Sequence, residues 1–566
     1  MFRALSKLIA SLSSLDRRPA LVALAAGAVF LLISVRHLDT VPQVYEDEPW
    51  QASTAYKLMT SGVFGSDLFA GFYHMDQRYY GFMPLHPLLL AGFFRVLGPG
   101  LVQARLETVV LSLLTLLLTF TLGTRLFSAR GSRSEPRGSQ SGSWGSRSER
   151  SGSWVGAIAV VLLVLVRWTG LTYVQLTGIP LVDFARIARY DPFVPVLGLA
   201  ALHVFLSARG PPRGDPQPSP NSNRPFEPHR ALFVTAGALA GLAGLAHLYG
   251  LFWLPILIAL TLWDGRARAA GWLVLGGVLP WLPYVAYVLQ DVPDWRGQTL
   301  IYQTRFDLLN VRWYLDNLVQ EYHRYGPGLG PFGPAWLVRV GFWTSLVALP
   351  LSLAMLTRRA ILHADLAARA IVIPALLLPV LFAGTITLKL VNYTLIELPF
   401  FALAMAWAIR TFWLARQTWT RPLIAIVATA VILEGAVQLV RLEEVAQTTT
   451  AYPTFIAEVR QYLPPGARVL GLHTYWFGLE DFDYRSFLVP LNWADEGVPL
   501  DEALARVAPD IVLLDARLRD YFNSNSPGVA ADRARFNRWL EQHQGTLIGR
   551  VDDPTYGLME VYRVQS

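Results

Sequence analysis

The chain has no cysteine among its 566 residues. A disulfide, a thiolate nucleophile, a cysteine-ligated zinc and an iron–sulfur cluster are therefore excluded, and the redox compartment leaves no mark. Charge is scarce as well. Asp, Glu, Lys and Arg make up 16% of the residues, against about 25% in soluble domains. Apolar residues fill the gap at 53%, with mean hydropathy +0.36. They gather into runs approaching the ~17–25 residues that cross a bilayer. A cytosolic enzyme, a disordered protein and a small stapled module are all excluded. The net charge of +7 and pI of 9.5 would suit nucleic acid, but the placement of the arginines assigns them to membrane topology. No nucleic-acid partner is expected.

Eleven apolar segments read as spans: Ala20–Ser34, Val102–Leu122, Val155–Val166, Phe193–Leu206, Ala231–Leu245, Leu251–Leu262, Trp272–Leu289, Trp336–Leu356, Ile371–Leu388, Leu398–Ile409 and Leu423–Val440. Pro84–Leu97 is shorter and carries His86, Pro87 and Arg95, so it reads as interfacial or re-entrant. Cytoplasmic loops retain Lys and Arg. Placing Arg3, Lys7, Arg17 and Arg18 inside puts the basic loops Arg125–Trp154, Ser207–Arg230, Asp264–Ala269, Thr357–Arg369 and Arg410–Arg421 inside too. The expectation is a multi-pass cell-membrane protein with a cytoplasmic N-terminus. The first span is long and lacks a small-x-small site, so it is not expected to be a cleaved signal peptide.

Within the membrane domain, residues 1–440, the first external loop is 39–100 and a later one is 290–333. Ser128–Ser153 repeats Gly-Ser-Arg-Ser-Glu and Gly-Ser-Trp, as a flexible cytoplasmic linker would. Pro211–Pro228 is a second polar loop. From Arg441 the composition turns soluble. Arg468–His473, Asp510–Asp515, Thr546–Val551 and Leu558–Val564 read as strands, and Leu500–Val507 and Asp532–His543 as helices. Residues 441–566 are therefore expected to form a small extracytoplasmic α/β domain. It has no G-x-G-x-x-G and no P-loop to hold a nucleotide.

Chemistry concentrates on the external side. Glu46, Asp47 and Glu48 follow the first span and open a helical stretch, Pro49–Met59. They read either as acids complementing a helix N-terminus or as a source of one cavity-facing base; adjacent acids diverge, so only one or two can serve one atom. His74, Arg78, Tyr79 and His86 follow, a mix that suits a sugar and a phosphate and equally an interfacial aromatic belt. Arg186, Arg189 and Asp191 lie at the bilayer edge, where ionisable groups face a cavity or a partner. His247 and Tyr249 occupy the turn between the fifth and sixth spans. Lys389, Asn392 and Glu397 flank the tenth. In Trp295–Tyr325, Leu308, Val311, Leu315 and Leu318 recur at helical spacing. That loop reads as a static cover or as a lid bringing Arg305 or Arg312 to a phosphate. Carboxylates of this kind can take Mg²⁺ or Mn²⁺; no ligand set is legible, so a divalent cation stays open and no other cofactor is called for.

The order of these motifs resembles the GT-C superfamily of polytopic membrane glycosyltransferases, close to the protein O-mannosyltransferase and aminoarabinose transferase branch. The resemblance runs through Glu46–Ala52, Pro84–Leu90, Arg105–Glu107, Gly123–Phe127, Ala188–Pro192 and Glu397–Ala404. It implies a GT-C-like fold of about 11 spans plus interfacial helices with the small C-terminal domain. It further implies a polyprenyl-phosphate sugar donor, an acceptor that is lipid, glycan or protein, and contact with membrane lipids. The family's acidic pair falls on Asp47 and Glu48, with Asp47 implied as the catalytic carboxylate, and its Arg…Asp motif falls on Arg189 and Asp191; Glu48 and Asp191 are the further candidate catalytic carboxylates. Where the family often has Lys in the fifth–sixth turn, this chain has His247. The Trp-Trp-Asp-Tyr-Gly motif of oligosaccharyltransferases is absent. A lipid-carrier flippase would show mid-span charges and repeated broken helices, and a silent scaffold would be indifferent to Asp47.

Overall fold

Over the described residues, each of the eleven apolar segments falls mainly on helix. The computed structural model describes residues 17–128, 144–171, 176–209, 230–303, 305–325, 340–415, 417, 419–524 and 526–565. In chain order the helices are α1 (Arg17–Val35), α2 (Asp47–Ser61), α3 (Leu85–Leu97), α4 (Leu101–Phe127), α5 (Trp144–Leu165), α6 (Pro180–Phe184), α7 (Phe193–Ala208), α8 (Arg230–Ala246), α9 (Trp253–Trp263), α10 (Ala267–Val278), α11 (Trp281–Val288) and α12 (Val292–Gln303). Then come α13 (Val311–Val319), α14 (Tyr322–Tyr325), α15 (Val340–Leu362), α16 (Leu366–Thr385), α17 (Leu398–Leu414), α18 (Thr420–Thr448) and α19 (Tyr452–Arg460). Short 3₁₀ turns cover Asp67–Phe69, Leu248–Phe252 and Val391–Ile396.

Among the described residues five helices are long and apolar enough to cross a membrane, or six if the pair α10 and α11, bent by 43°, counts as one. Six shorter apolar helices accompany them. The chain is thus built as a multi-pass membrane protein. Trp272–Leu289, read as one straight span, is the bent pair, broken at Leu279 and Pro280, just before α11. The chain's α3 is about 20 Å long at 1.5 Å per residue, too short to cross upright. The stretch read as a linker lies outside the described residues over 129–143, and α5 occupies the remainder from Trp144. Pro211–Pro228 and 336–339 also lie outside them.

Close backbone approach sets the bundle's centre. A Cβ on Gly123 of α4 would stand 2.7 Å from the Cα of Gly156 on α5, so glycine lets these two helices meet at main-chain distance. The loops then converge at one end of the bundle. There α2 begins with Asp47 and Glu48 in the turn where the helix dipole favours acids, and it stops at Gly62, whose φ of +73° closes the C-terminus onto the Leu58 carbonyl.

The sheet domain sits on this same end. Its strands are β1 (Arg468–Gly471), β2 (Asp483–Ser486), β3 (Ile511–Leu514), β4 (Thr546–Asp553) and β5 (Gly557–Arg563), in the order β2-β1-β3-β5-β4. β1 runs parallel to β2 and β3, while β5 is antiparallel to β3 and β4. The soluble composition starts at Arg441, inside α18, which continues to Thr448. One apolar cluster joins Ala52, Phe69 and Tyr79 of the first loop to Tyr452, Trp476 and Phe477. Burying each large side chain of this kind contributes about 1.5–3 kcal/mol, so the domain and the loop share a core.

Candidate active site

The three consecutive acids take three directions. Glu46 is exposed, 3.9 Å from Arg517 of the sheet domain. Glu48 turns inward and is wholly buried. Arg105 of α4 donates to both its oxygens at 2.8 Å, from Nε to Oε1 and from Nη2 to Oε2. The Tyr45 and Ala188 amides add bonds of 2.7 and 2.8 Å. Protein donors thus fill both oxygens, and Arg105 Nη1 also holds the Leu38 and Pro42 carbonyls. Glu48 was expected among the catalytic carboxylates; its geometry instead makes it the anchor that fixes the loop ahead of α2.

Asp47, between them, keeps 27% of its side chain exposed. Its Oδ2 pairs with Arg189 Nη1 at 2.8 Å, and Oδ1 accepts no hydrogen bond among the described residues. Withdrawal from water pushes the Asp47 carboxyl above the ordinary carboxylate range; Arg189 pulls it back, while Asp191 and Glu48 add to the rise.

Arg189 is held on every side. Its Nε donates to Asp191 Oδ2 at 2.9 Å and its Nη2 to the Tyr190 hydroxyl at 2.9 Å. The guanidinium also lies 4.9 Å from the Tyr45 ring centroid. Asp191 is buried, and its Oδ1 accepts from Tyr249 Oη at 3.0 Å and Asn392 Nδ2 at 2.8 Å. Asp191, also expected to be catalytic, is therefore enclosed; it bears on Asp47 by holding Arg189 and by its own charge. His247 stacks on Tyr190 at 4.3 Å, and burial lowers its pKa to about 3. It is neutral in this setting and supplies no charge for a phosphate.

The other expected binding residues separate into three groups. Tyr79 is buried near Asp47 and Tyr302. Arg305 packs over the Tyr302 ring at 5.1 Å, and its charge bears on Asp47, Tyr302 and Tyr393. These face the Asp47 cluster. His74 and Arg78 form a rim: His74 Nδ1 meets Asp294 Oδ2 at 2.8 Å and Arg78 lies 3.8 Å from Asp291. Of the remaining four, three are drawn elsewhere by stronger partners and Arg312 faces outward. His86 is buried between Gln51 and Glu107, the latter at 2.9 Å. Arg186 caps α1 through the Ile33, Ser34, His37 and Val41 carbonyls. Lys389 pairs with Glu321 at 2.9 Å, and Arg312 points outward, 86% exposed.

Sequence reasoning missed Tyr45 and Tyr302 as parts of this machinery, and it named Arg105 only within a motif, without its role as the partner of Glu48. Arg105 left a signal: with Glu107 it puts two charges at the head of an apolar helix, a placement tolerated when partners await. Among the described residues no three His, Asp or Glu side chains gather as metal ligands. The group beside Asp47 is a guanidinium, so these residues do not fit a divalent cation.

By sequence, no family model matches the chain, and no curated protein matches it. By structure it is similar to ArnT from Cupriavidus metallidurans bound to undecaprenyl phosphate, with a TM-score of 0.55 and 15% identity, over 96% of this chain and 98% of that one. It is also similar to the oligosaccharyltransferase AglB from Archaeoglobus fulgidus in complex with an inhibitory peptide and a dolichol-phosphate. There the TM-score is 0.53 and identity 12%, over 95% of this chain and 74% of that one. Both are GT-C superfamily proteins, and the chain shares their fold over nearly its whole length.

Proposed function

We propose that the chain is a membrane glycosyltransferase that moves a sugar from a polyprenyl-phosphate donor to an acceptor hydroxyl, at the end of the bundle carrying the sheet domain. One observation carries this reading. Asp47 is the single part-exposed carboxylate of a buried cluster, its position fixed by Arg189 and its neighbour Arg305 free of ion pairs among the described residues. The GT-C fold supplies the context, and the lipid phosphates bound by the two similar proteins suggest the donor class.

In this reading Asp47 Oδ1 takes the proton of the acceptor hydroxyl as that oxygen attacks the anomeric carbon. The bond from that carbon to the phosphate oxygen breaks, and the lipid phosphate leaves with its electron pair. A single displacement inverts the anomeric centre. Arg305 stabilises the leaving phosphate, where preorganised charge acts most strongly in a site sheltered from water. Arg189 does not bind the phosphate; it is already spent on two carboxylates, and it positions Asp47. The cluster faces the extracytoplasmic side, with 441–566 there and the basic loops inside.

Protein in lipid nanodiscs is assayed with a panel of polyprenyl-phosphate sugars, and vesicle flux is measured in parallel. Transfer with an inverted product supports the proposal; flux of the lipid carrier without transfer replaces it by a transporter. Topology has its own test, since the native chain has no thiol. Ser524→Cys, on the exposed surface of the sheet domain, is expected to label from outside intact cells, and Ser141→Cys only after permeabilisation. The opposite pattern inverts the orientation.

A further inference from the structure

A cavity of about 300 Å³ lies away from the Asp47 cluster, in the seam between α2, the Asp67–Phe69 turn and the sheet domain. From Asp47 it is reached along α2: Ser53 at its edge is six residues on, about 9 Å of helical rise. Its walls are rings and charges. Tyr56 and Trp476 meet edge to face, 5.8 Å between centroids at 72°, with Phe482 and Tyr484 beside them. Lys57 Nζ pairs with Asp67 at 2.5 Å. Arg485 pairs with Asp483 at 2.6 Å and donates to the Asp67 carbonyl at 2.9 Å. Against these matched pairs stands Glu480, whose Oε2 is sealed from solvent and accepts no hydrogen bond.

This combination narrows the occupant. The lining's Lys57 and Arg485, with Arg468 on Asp483 at 2.6 Å, balance its three carboxylates, so no surplus positive charge draws a phosphate or another anion. Two of the carboxylates are already neutralised by Lys57 and Arg485, so a metal ion finds no open ligand set. Matched ion pairs present donors and acceptors with little net charge, and aromatic faces cover C–H surfaces. The size is at the lower end of small-molecule sites. We propose that the seam cavity is a saccharide-binding subsite that takes one neutral hexopyranose ring. Its C–H face lies on Tyr56 or Trp476, a turn of the Glu480 carboxylate brings the unpartnered Oε2 onto one hydroxyl, and others bond to the Lys57–Asp67 and Arg485–Asp483 pairs. The ring belongs either to a glycan acceptor whose next hydroxyl reaches Asp47 or to a glycan outside the reaction.

Full-length protein in nanodiscs is probed by saturation-transfer NMR with methyl α-D-glucopyranoside, methyl α-D-mannopyranoside and methyl β-D-galactopyranoside. At least one is expected to show saturation of its ring C–H protons. Glu480→Gln, which keeps shape, weakens binding about tenfold by losing a charged acceptor, and Tyr56→Ala removes the signal. Asp47→Asn leaves it intact, which separates this inference from the proposed transfer reaction. Thermal midpoints check that Tyr56→Ala folds; if it does not, Glu480→Gln decides. Silence from all three glycosides, or a signal indifferent to both seam substitutions, overturns the subsite. Given binding, competition against the acceptor in the transfer assay assigns the ring to the acceptor, and binding without inhibition assigns it to another glycan.

Discussion

Two buried clusters in this protein are built on the same plan. In one, Arg189 stands between Asp47 and Asp191 and donates to the hydroxyl of the next residue, Tyr190. In the other, Arg324 stands between Glu321 and Glu397 and donates to the hydroxyl of the next residue, Tyr325. The second adds Lys389 on Glu321, and Tyr325 returns its proton to Glu397 Oε2 at 2.7 Å. Two positive and two negative groups balance there, and the cluster is closed. The first has two carboxylates for one guanidinium, with its surplus charge on Asp47, the member that keeps part of its side chain exposed. On the proposed function, the difference teaches that buried ion pairs alone do not mark a site; the charge left unmatched at a part-exposed carboxylate does.

The contrast is sharpest at the acids. Asp47→Asn is expected to cut transfer by about 10²–10⁴-fold, the usual contribution of a general base, with its thermal midpoint near wild type. Transfer unaffected by it removes the base from Asp47. Arg324→Gln is expected to do the reverse, destabilising by about 3–5 kcal/mol because buried carboxylates lose their partner. Unfolding in detergent followed by circular dichroism reads this, and an unchanged midpoint would mean the closed cluster holds nothing. Arg305→Ala should lower donor kcat/KM by about 10–100-fold, the loss of one charged contact to the leaving group, without a stability change. Arg312→Ala, solvent-facing, should alter neither quantity.

A smaller effect tests the electrostatics. A base works deprotonated, so transfer should rise with pH through an ionisation above the ordinary Asp range, because burial raises Asp47. Arg189 holds that ionisation down, so Arg189→Gln should move the rise to higher pH. A profile of kcat/KM that shifts the other way would detach the ionisation from Asp47.

The helices were legible because apolar runs of this length have few other fates in water or lipid. Asp47 was legible as one of three acids placed straight after the first span. What the chain could not disclose was direction. Glu48 is occupied by Arg105, 57 residues away, and no local rule foretells that bond. Arg324 sits in a loop that reads as amphipathic surface, yet it is fully buried. The strand β2, Asp-Tyr-Arg-Ser, has four residues and two charges, so no apolar alternation betrayed it; its pairing with β1 makes it a strand. Lys389 looked like a phosphate ligand because its loop faces the right end of the bundle, but Glu321 claims it.

The core shared by the first loop and the sheet domain also sets a timetable. Gln43 Nε2 bonds the Thr555 carbonyl 512 residues later, and the Tyr452 amide bonds the Asp39 carbonyl. On a ribosome the Asp47 loop emerges early and waits, its Trp50 and Phe69 uncovered on the side that His473 of the sheet domain later meets. Contacts this distant in sequence form late. A chain stopped before the sheet domain therefore carries the acids of the candidate site and the residues that hold them, such as Arg105 and Arg189, but leaves the apolar face of their loop uncovered.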